Sequence, residues 1–105
     1  MFARNVSIRL KQNSAAEFTK LYEEKVLPTL QKQPGFSNAI LLAGDNGMYM
    51  TSITLWDTKE HAEIYHTTGY TENLKSLDNV LDGPPKIRAS NVIHSTIHEL
   101  VAAAA

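Results

Sequence analysis

The sequence has no cysteine, only five glycines and four prolines among its 105 residues, and no apolar run long enough to span a bilayer. Without thiols there can be no disulfide, thiolate nucleophile, zinc ribbon or iron–sulfur centre. Any metal would have to be held by histidine and carboxylate alone. Charge of one sign is missing too: ten Lys and Arg are interspersed with eleven Asp and Glu, for a net charge of −1. No basic field is available to hold a phosphate backbone, which excludes nucleic acid as a partner. Met1 to Asn5 carry neither the apolar stretch nor the cleavage site of a secretory leader, so the expected location is the cytoplasm, with no membrane partner. What is present, 43% hydrophobic and 20% charged residues, suits one globular domain over residues 1–101, with a low-complexity alanine tail at 102–105 set aside.

Residues 2–10 alternate, with Val6, Ile8 and Leu10 on one face and Asn5, Ser7 and Arg9 on the other, which predicts a strand. Ser14 and Glu17 have the form of a capping box. Phe18, Leu21, Tyr22, Val26 and Leu30 then recur at helical spacing as far as about Gln33. Pro28 lies inside this helix and removes a donor, predicting a kink near Glu24, and Pro34-Gly35 stops it. Phe36 to Ala43 and Met48 to Trp56 read as a hairpin around Gly44-Asp45-Asn46-Gly47. Asp57 and Glu60 repeat the capping-box pattern ahead of a second helix that Gly69 divides in two. After Pro84-Pro85, residues 87–100 read as a long last strand.

The order β-α-β-β-α-β predicts an α+β, ferredoxin-like fold: a four-stranded antiparallel sheet with the helices on one face. The other face would then carry either Tyr49, Ile53 and Leu55 or Met48, Met50 and Trp56. Either set in water is an apolar patch of the kind that marks an interface, so a homodimer pairing through its sheets is expected.

Leu27-Pro28, Pro34-Gly35-Phe36 and the run Trp56-Asp57-Thr58-Lys59-Glu60, in this order of elements, resemble the antibiotic-biosynthesis-monooxygenase-like family of the dimeric α/β-barrel superfamily, over about residues 4–100. The resemblance implies sheet-paired dimers with a pocket between helices and sheet. Members oxygenate polycyclic quinols or degrade haem without flavin or a protein-bound metal, so no cofactor is expected. The implied activity is a cofactor-independent monooxygenase acting on a small aromatic or polycyclic, quinol-type substrate. The alternatives are a non-catalytic protein binding a small hydrophobic ligand and a proton-transfer isomerase. Many members carry histidines nine residues after the strand-end Trp and again about five further on, where this chain has Tyr65 and Tyr70; His61 and His66 are displaced neighbours. The haem-degrading pattern is broken at Asn5, which has the wrong parity, and by Tyr65 and Lys75, which stand for Trp and His.

The candidate catalytic residues are Tyr65, Tyr70 and His66: two phenols that can donate to a substrate oxygen and one imidazole that can take its proton. Trp56, Asn38, Arg9 and His61 are candidate substrate-binding residues, each with a structural reading beside it. Trp56 suits packing. Arg9 suits an ion pair with a neighbouring carboxylate. Helical histidines are often exposed or capping, and the use of Asn38 on its strand stays open. His94 and His98 would share a strand face about 13 Å apart, too far to hold one metal, and no metal site is expected. A cavity of a few hundred Å³ reached by these side chains would support an enzyme or a binder; a space filled by side chains would leave a structural role.

Overall fold

In the computed structural model, which describes residues 1–44 and 46–97, alternation along two strands decides the architecture. In β1 (Phe2–Arg9) the even-numbered residues are buried and the odd-numbered ones face the other way. In β3 (Tyr49–Trp56) Met50, Ser52, Thr54 and Trp56 are buried. The strands pair antiparallel from Phe2 opposite Trp56 to Arg9 opposite Tyr49, so the two even sets share one face. β2 (Phe36–Ala43) joins β3 with a bulge at Ser37, and β4 (Lys86–Asn91) joins β1, giving the order β2-β3-β1-β4. This is the expected ferredoxin-like sheet.

The helices cover the even face. α1 (Ala15–Leu21) runs into a π-helical turn (Tyr22–Val26) and then α2 (Leu27–Gln31). Pro28 has no N–H to donate, and ahead of it the Leu27 N–H reaches back five residues to the Tyr22 carbonyl. The kink expected near Glu24 is therefore a π turn, and it sets where the Tyr22 side chain enters the core. α3 (Lys59–Thr67) and α4 (Gly69–Leu77) are the two pieces expected from Gly69, which packs against the Tyr65 ring and Gln33 with no room for a Cβ.

The centre of the core is aromatic. Trp56 is fully buried, meets Phe36 edge-on at 5.6 Å and stacks on Tyr65 at 5.0 Å. Truncating such a residue costs about 3–5 kcal/mol. The Pro34-Gly35 turn is clamped to the start of α3: the Asp57 N–H donates to the Gly35 carbonyl at 2.9 Å, and Asp57 and His61 occupy the space a Cβ would need. With φ at +77°, that position is suited to glycine on both counts.

Three sequence readings shift. The cap of α3 is Thr58, whose hydroxyl accepts from the His61 N–H at 3.2 Å, rather than the Asp57–Glu60 box. Ser14 caps α1 by position without a side-chain bond to it. β4 stops at Asn91 instead of running to residue 100, because Asn91 already faces Phe2, the first residue of β1, and Val92 bonds to Met1; the antiparallel partner ends there. His94 thus lies beyond the strand, and His98 lies outside the described residues, as do Asp45 of the hairpin turn and the alanine tail.

Of the two apolar sets, it is Tyr49, Ile53 and Leu55 that face away from the helices, beside Ile40 and Leu42 of β2. Tyr49, Leu42 and Ile40 are 48%, 49% and 39% exposed, and Leu55 is buried. Among the described residues no helix is long and apolar enough to cross a membrane.

Candidate functional site

A cavity of about 40 Å³ lies between the helices and the even face of the sheet. Its walls are mostly apolar, with Arg4, Ser52, Thr54 and Asn73 and the phenols of Tyr22, Tyr65 and Tyr70 among the lining residues. This is well below the few hundred Å³ that a resident ring substrate needs, yet enough for a small polar group. A second hollow, a groove of about 320 Å³ lined by Phe2, Ala62, His66, Ile87 and Ala89, lies between α3 and the helix-side face of β4, where Ile87 and Ala89 pair with Val6 and Arg4. Arg4 lines both spaces.

Arg4 is the residue that sequence reasoning missed. It has the parity of Val6, Ile8 and Leu10, which puts it on the helix-covered face, and it is 4% exposed. That parity was the available signal: a cation spaced with the core. Its guanidinium carbon sits 4.7 Å from the Tyr70 ring centre and 5.1 Å from that of Tyr65. Its Nε and Nη2 are buried with no hydrogen-bond partner among the described residues. Burial pulls its pKa below the usual arginine value, with Tyr65 and Tyr70 opposing, but a guanidinium stays protonated at any ordinary pH. Desolvating an ion costs several kcal/mol, and each ring face returns about 2 kcal/mol or more when water is excluded. The rings meet part of that cost, and the hydrogen-bonding capacity of Nε and Nη2 is left unmet among the described residues.

The phenols beside it are donors. Asn73 Nδ2 donates to the Tyr65 hydroxyl at 2.8 Å, so the Tyr65 oxygen is used and its own proton is left to give. Burial pushes the Tyr65 pKa up to about 12, far from that of a base at neutral pH. Tyr70 is also raised by burial, with Arg4 opposing. Tyr22 is raised by burial as well; its hydroxyl faces Ser52, which opposes the rise, without closing a hydrogen bond.

The other sequence candidates stand elsewhere. His66 follows Tyr65 by one position, about 100° around the helix, which turns it out of the cavity into the groove, where it stacks on Tyr70 at 5.5 Å. His61 Nδ1 hydrogen-bonds Asp57 at 2.7 Å, holding that carboxyl below its ordinary pKa and fastening the first turn of α3. Trp56 gives its indole N–H to Thr54 at 2.9 Å and supports Tyr65 from behind. Arg9 lies on the open face in an exposed pair with Asp82 at 3.2 Å, the carboxylate-pairing role weighed for it, though the partner lies in the loop after α4. Asn38 sits beside the β2 bulge on the open face and accepts from Ser37 at 2.8 Å. Tyr65 and Tyr70 alone of the sequence candidates reach the cavity. Among the described residues no group of three or more His, Asp or Glu is placed to hold a metal ion.

The tyrosine environments make a pH prediction. In the unfolded chain tyrosines ionise near pH 10, whereas the folded values of Tyr22, Tyr65 and Tyr70 are raised. The stability linked to them is fully present below pH 10 and is lost as pH rises toward 12. A spectrophotometric phenolate titration should show Tyr22, Tyr65 and Tyr70 ionising above pH 10, together with loss of structure. These three ionising near pH 10 in intact protein would contradict these placements.

No protein-family model matches the chain, and no curated protein matches its sequence. Solved structures do. A putative antibiotic biosynthesis monooxygenase from Nitrosomonas europaea superposes with a TM-score of 0.75 at 14% identity, covering 90% of this chain and 100% of that one. SnoaB, a cofactor-independent oxygenase from Streptomyces nogalater, gives 0.76 at 14%, covering 90% and 95%. A Streptomyces coelicolor monooxygenase in complex with nanaomycin D gives 0.75 at 18%, covering 90% and 88%. Identities this low carry architecture and not chemistry. The chain has the fold of structures named antibiotic biosynthesis monooxygenases.

Proposed function

We propose that the chain is a cofactor-independent monooxygenase acting on a small aromatic, quinol-type substrate, working in the cytoplasm as a homodimer. The observation that carries this reading is the buried Arg4 cation beside the free proton of Tyr65 in a mostly apolar cavity. Such a site favours negative charge on a ligand oxygen, because preorganised donors in a water-poor space stabilise developing charge without reorganisation. A substrate CH₂ conjugated with an aromatic ketone, as in an anthrone or the keto tautomer of a naphthoquinol, would lose a proton there to give an enolate. The enolate passes an electron to oxygen, the radicals combine, and the hydroperoxide loses water. One CH₂ and one O₂ thus become one C=O and one H₂O, with every electron supplied by the substrate.

The described cavity wall includes a guanidinium and hydroxyls but no imidazole or carboxylate. The proton therefore leaves toward the groove, where His66 stacks on Tyr70, and Arg4 makes its loss easier by stabilising the anion. A ring system exceeds 40 Å³, so its bulk lies in the groove or α4 moves off the sheet. The same lack of a base inside the cavity supports a second reading, a protein that binds an aromatic ligand without turning it over.

Oxygen uptake with anthrones and naphthoquinols, flavin absent, separates the two. Turnover is expected. Arg4→Met and Tyr65→Phe should each lower kcat by about 10²-fold, and His66→Ala by a similar factor, with a changed pH profile. No uptake by the parent protein leaves the binder, and undiminished turnover in all three variants removes the site assignment.

The homodimer rests on the open sheet face, where Ile40, Leu42 and Tyr49 are 39–49% exposed on neighbouring strands. A second copy of the same face is a matching cover. Light scattering at micromolar concentration should give twice the chain mass, with Leu42→Asp shifting it toward one; a monomeric parent protein contradicts the proposal.

A further inference from the structure

We infer that the cavity receives a two-oxygen anion, either a carboxylate or the paired oxygens of an ionised hydroxy-ketone, carried on an aromatic body that lies in the groove between α3 and β4. The inference deepens the reading above and rests on it only in taking the cavity as the ligand site.

The argument starts from which atoms of Arg4 lack partners. Nε and Nη2 lie along one edge of the planar guanidinium, and their N–H bonds run parallel, the fork that meets two oxygens side-on. The Tyr65 and Tyr70 ring centres lie 5.1 and 4.7 Å from the guanidinium carbon and 6.0 Å from each other, so both rings flank the group from neighbouring directions and neither supplies the hydrogen bonds that the Nε–Nη2 edge lacks. Among the described residues no carboxylate fills it: their ion pairs are Arg9–Asp82, Lys59–Glu63 and His61–Asp57. Lysine could supply charge here but not the parallel pair.

The surroundings extend the same pattern. The Tyr65 oxygen accepts from Asn73, which leaves its own proton available to an acceptor, and the Tyr22 hydroxyl has no partner among the described residues. These are donors around a cation, complementary to an anion and mismatched to a second cation. Volume sets the rest. About 40 Å³ admits a carboxylate-sized head and excludes fused rings, while the adjoining groove of about 320 Å³ offers Phe2, Ala62, Ile87 and Ala89 to an apolar body. Arg4 is the residue common to both, so a ligand whose anionic head meets it places its ring in the groove.

The test is calorimetric titration of the full chain with two matched pairs: 1-naphthoate against 1-naphthamide, and 1,8-dihydroxyanthrone against anthrone. Fluorescence of the single tryptophan, Trp56, which stacks on Tyr65, reports on the site. Naphthoate is expected to bind at least tenfold tighter than the amide; a preference confined to the dihydroxyanthrone pair would assign the hydroxy-ketone as the natural head instead. Arg4→Met should abolish the preference. Arg4→Lys keeps the charge and loses the fork, so it should retain a preference while losing about tenfold in affinity. Equal binding within both pairs, binding of neither, or an unchanged preference in Arg4→Met or unchanged affinity in Arg4→Lys overturns the inference. Arg4-dependent binding without any oxygen uptake upholds it and removes the monooxygenase reading alone.

Discussion

The whole structure depends on covering one face of β1 and β3. Strand geometry puts Phe2, Val6, Ile8, Met50 and Trp56 on the same side of the sheet, and that side is not stable in water. The helices exist to cover it, and their breaks follow from fitting it: the π turn ahead of Pro28, the gap at Gly69 and the clamp at Gly35 each bring a helical segment onto the sheet. The same periodicity that buries the apolar residues also buries Arg4. The site is therefore a by-product of the core's own pattern, placed where the core would otherwise have closed.

Much of the fold was legible because it is written in periods and breakers. The alternation of β1, the hairpin, the divided second helix and the uncovered sheet face all follow from patterns of two, patterns near 3.6, and the positions of proline and glycine. The end of β4 was not legible, since Ile87 to Leu100 reads as strand by composition while its true limit is the end of its partner, a tertiary fact. The cap at Thr58 moved by one residue because Asp57 is instead held by His61 and the Gly35 carbonyl.

The site was legible in part. Tyr65 and Tyr70 were found through the family resemblance, at the distances from Trp56 where many members carry histidines, but direction within a helix decides access. One step along α3 separates Tyr65, in the cavity, from His66, in the groove. Arg9 drew attention as the visible cation of the polar stripe, yet parity assigns it to the open face and gives the buried position to Arg4. A charged residue on the core parity of a strand is the informative anomaly, because burying an ion is disfavoured unless something meets it. Here two aromatic rings flank it, and nothing among the described residues hydrogen-bonds its Nε and Nη2.

The central claim is that Arg4 serves a ligand and not the fold. Thermal unfolding of ligand-free Arg4→Met tests it directly. Replacing a poorly compensated buried ion by an apolar side chain of similar length is commonly neutral or stabilising, by about 1–4 kcal/mol. Each kcal/mol moves the midpoint of a chain this size by about 4–8 °C. The account predicts a midpoint equal to or above that of the parent protein. A fall of about 10 °C or more, which corresponds to a loss above about 1 kcal/mol, would show that the guanidinium holds Tyr65 and Tyr70 in place for the fold's sake, and would contradict the account.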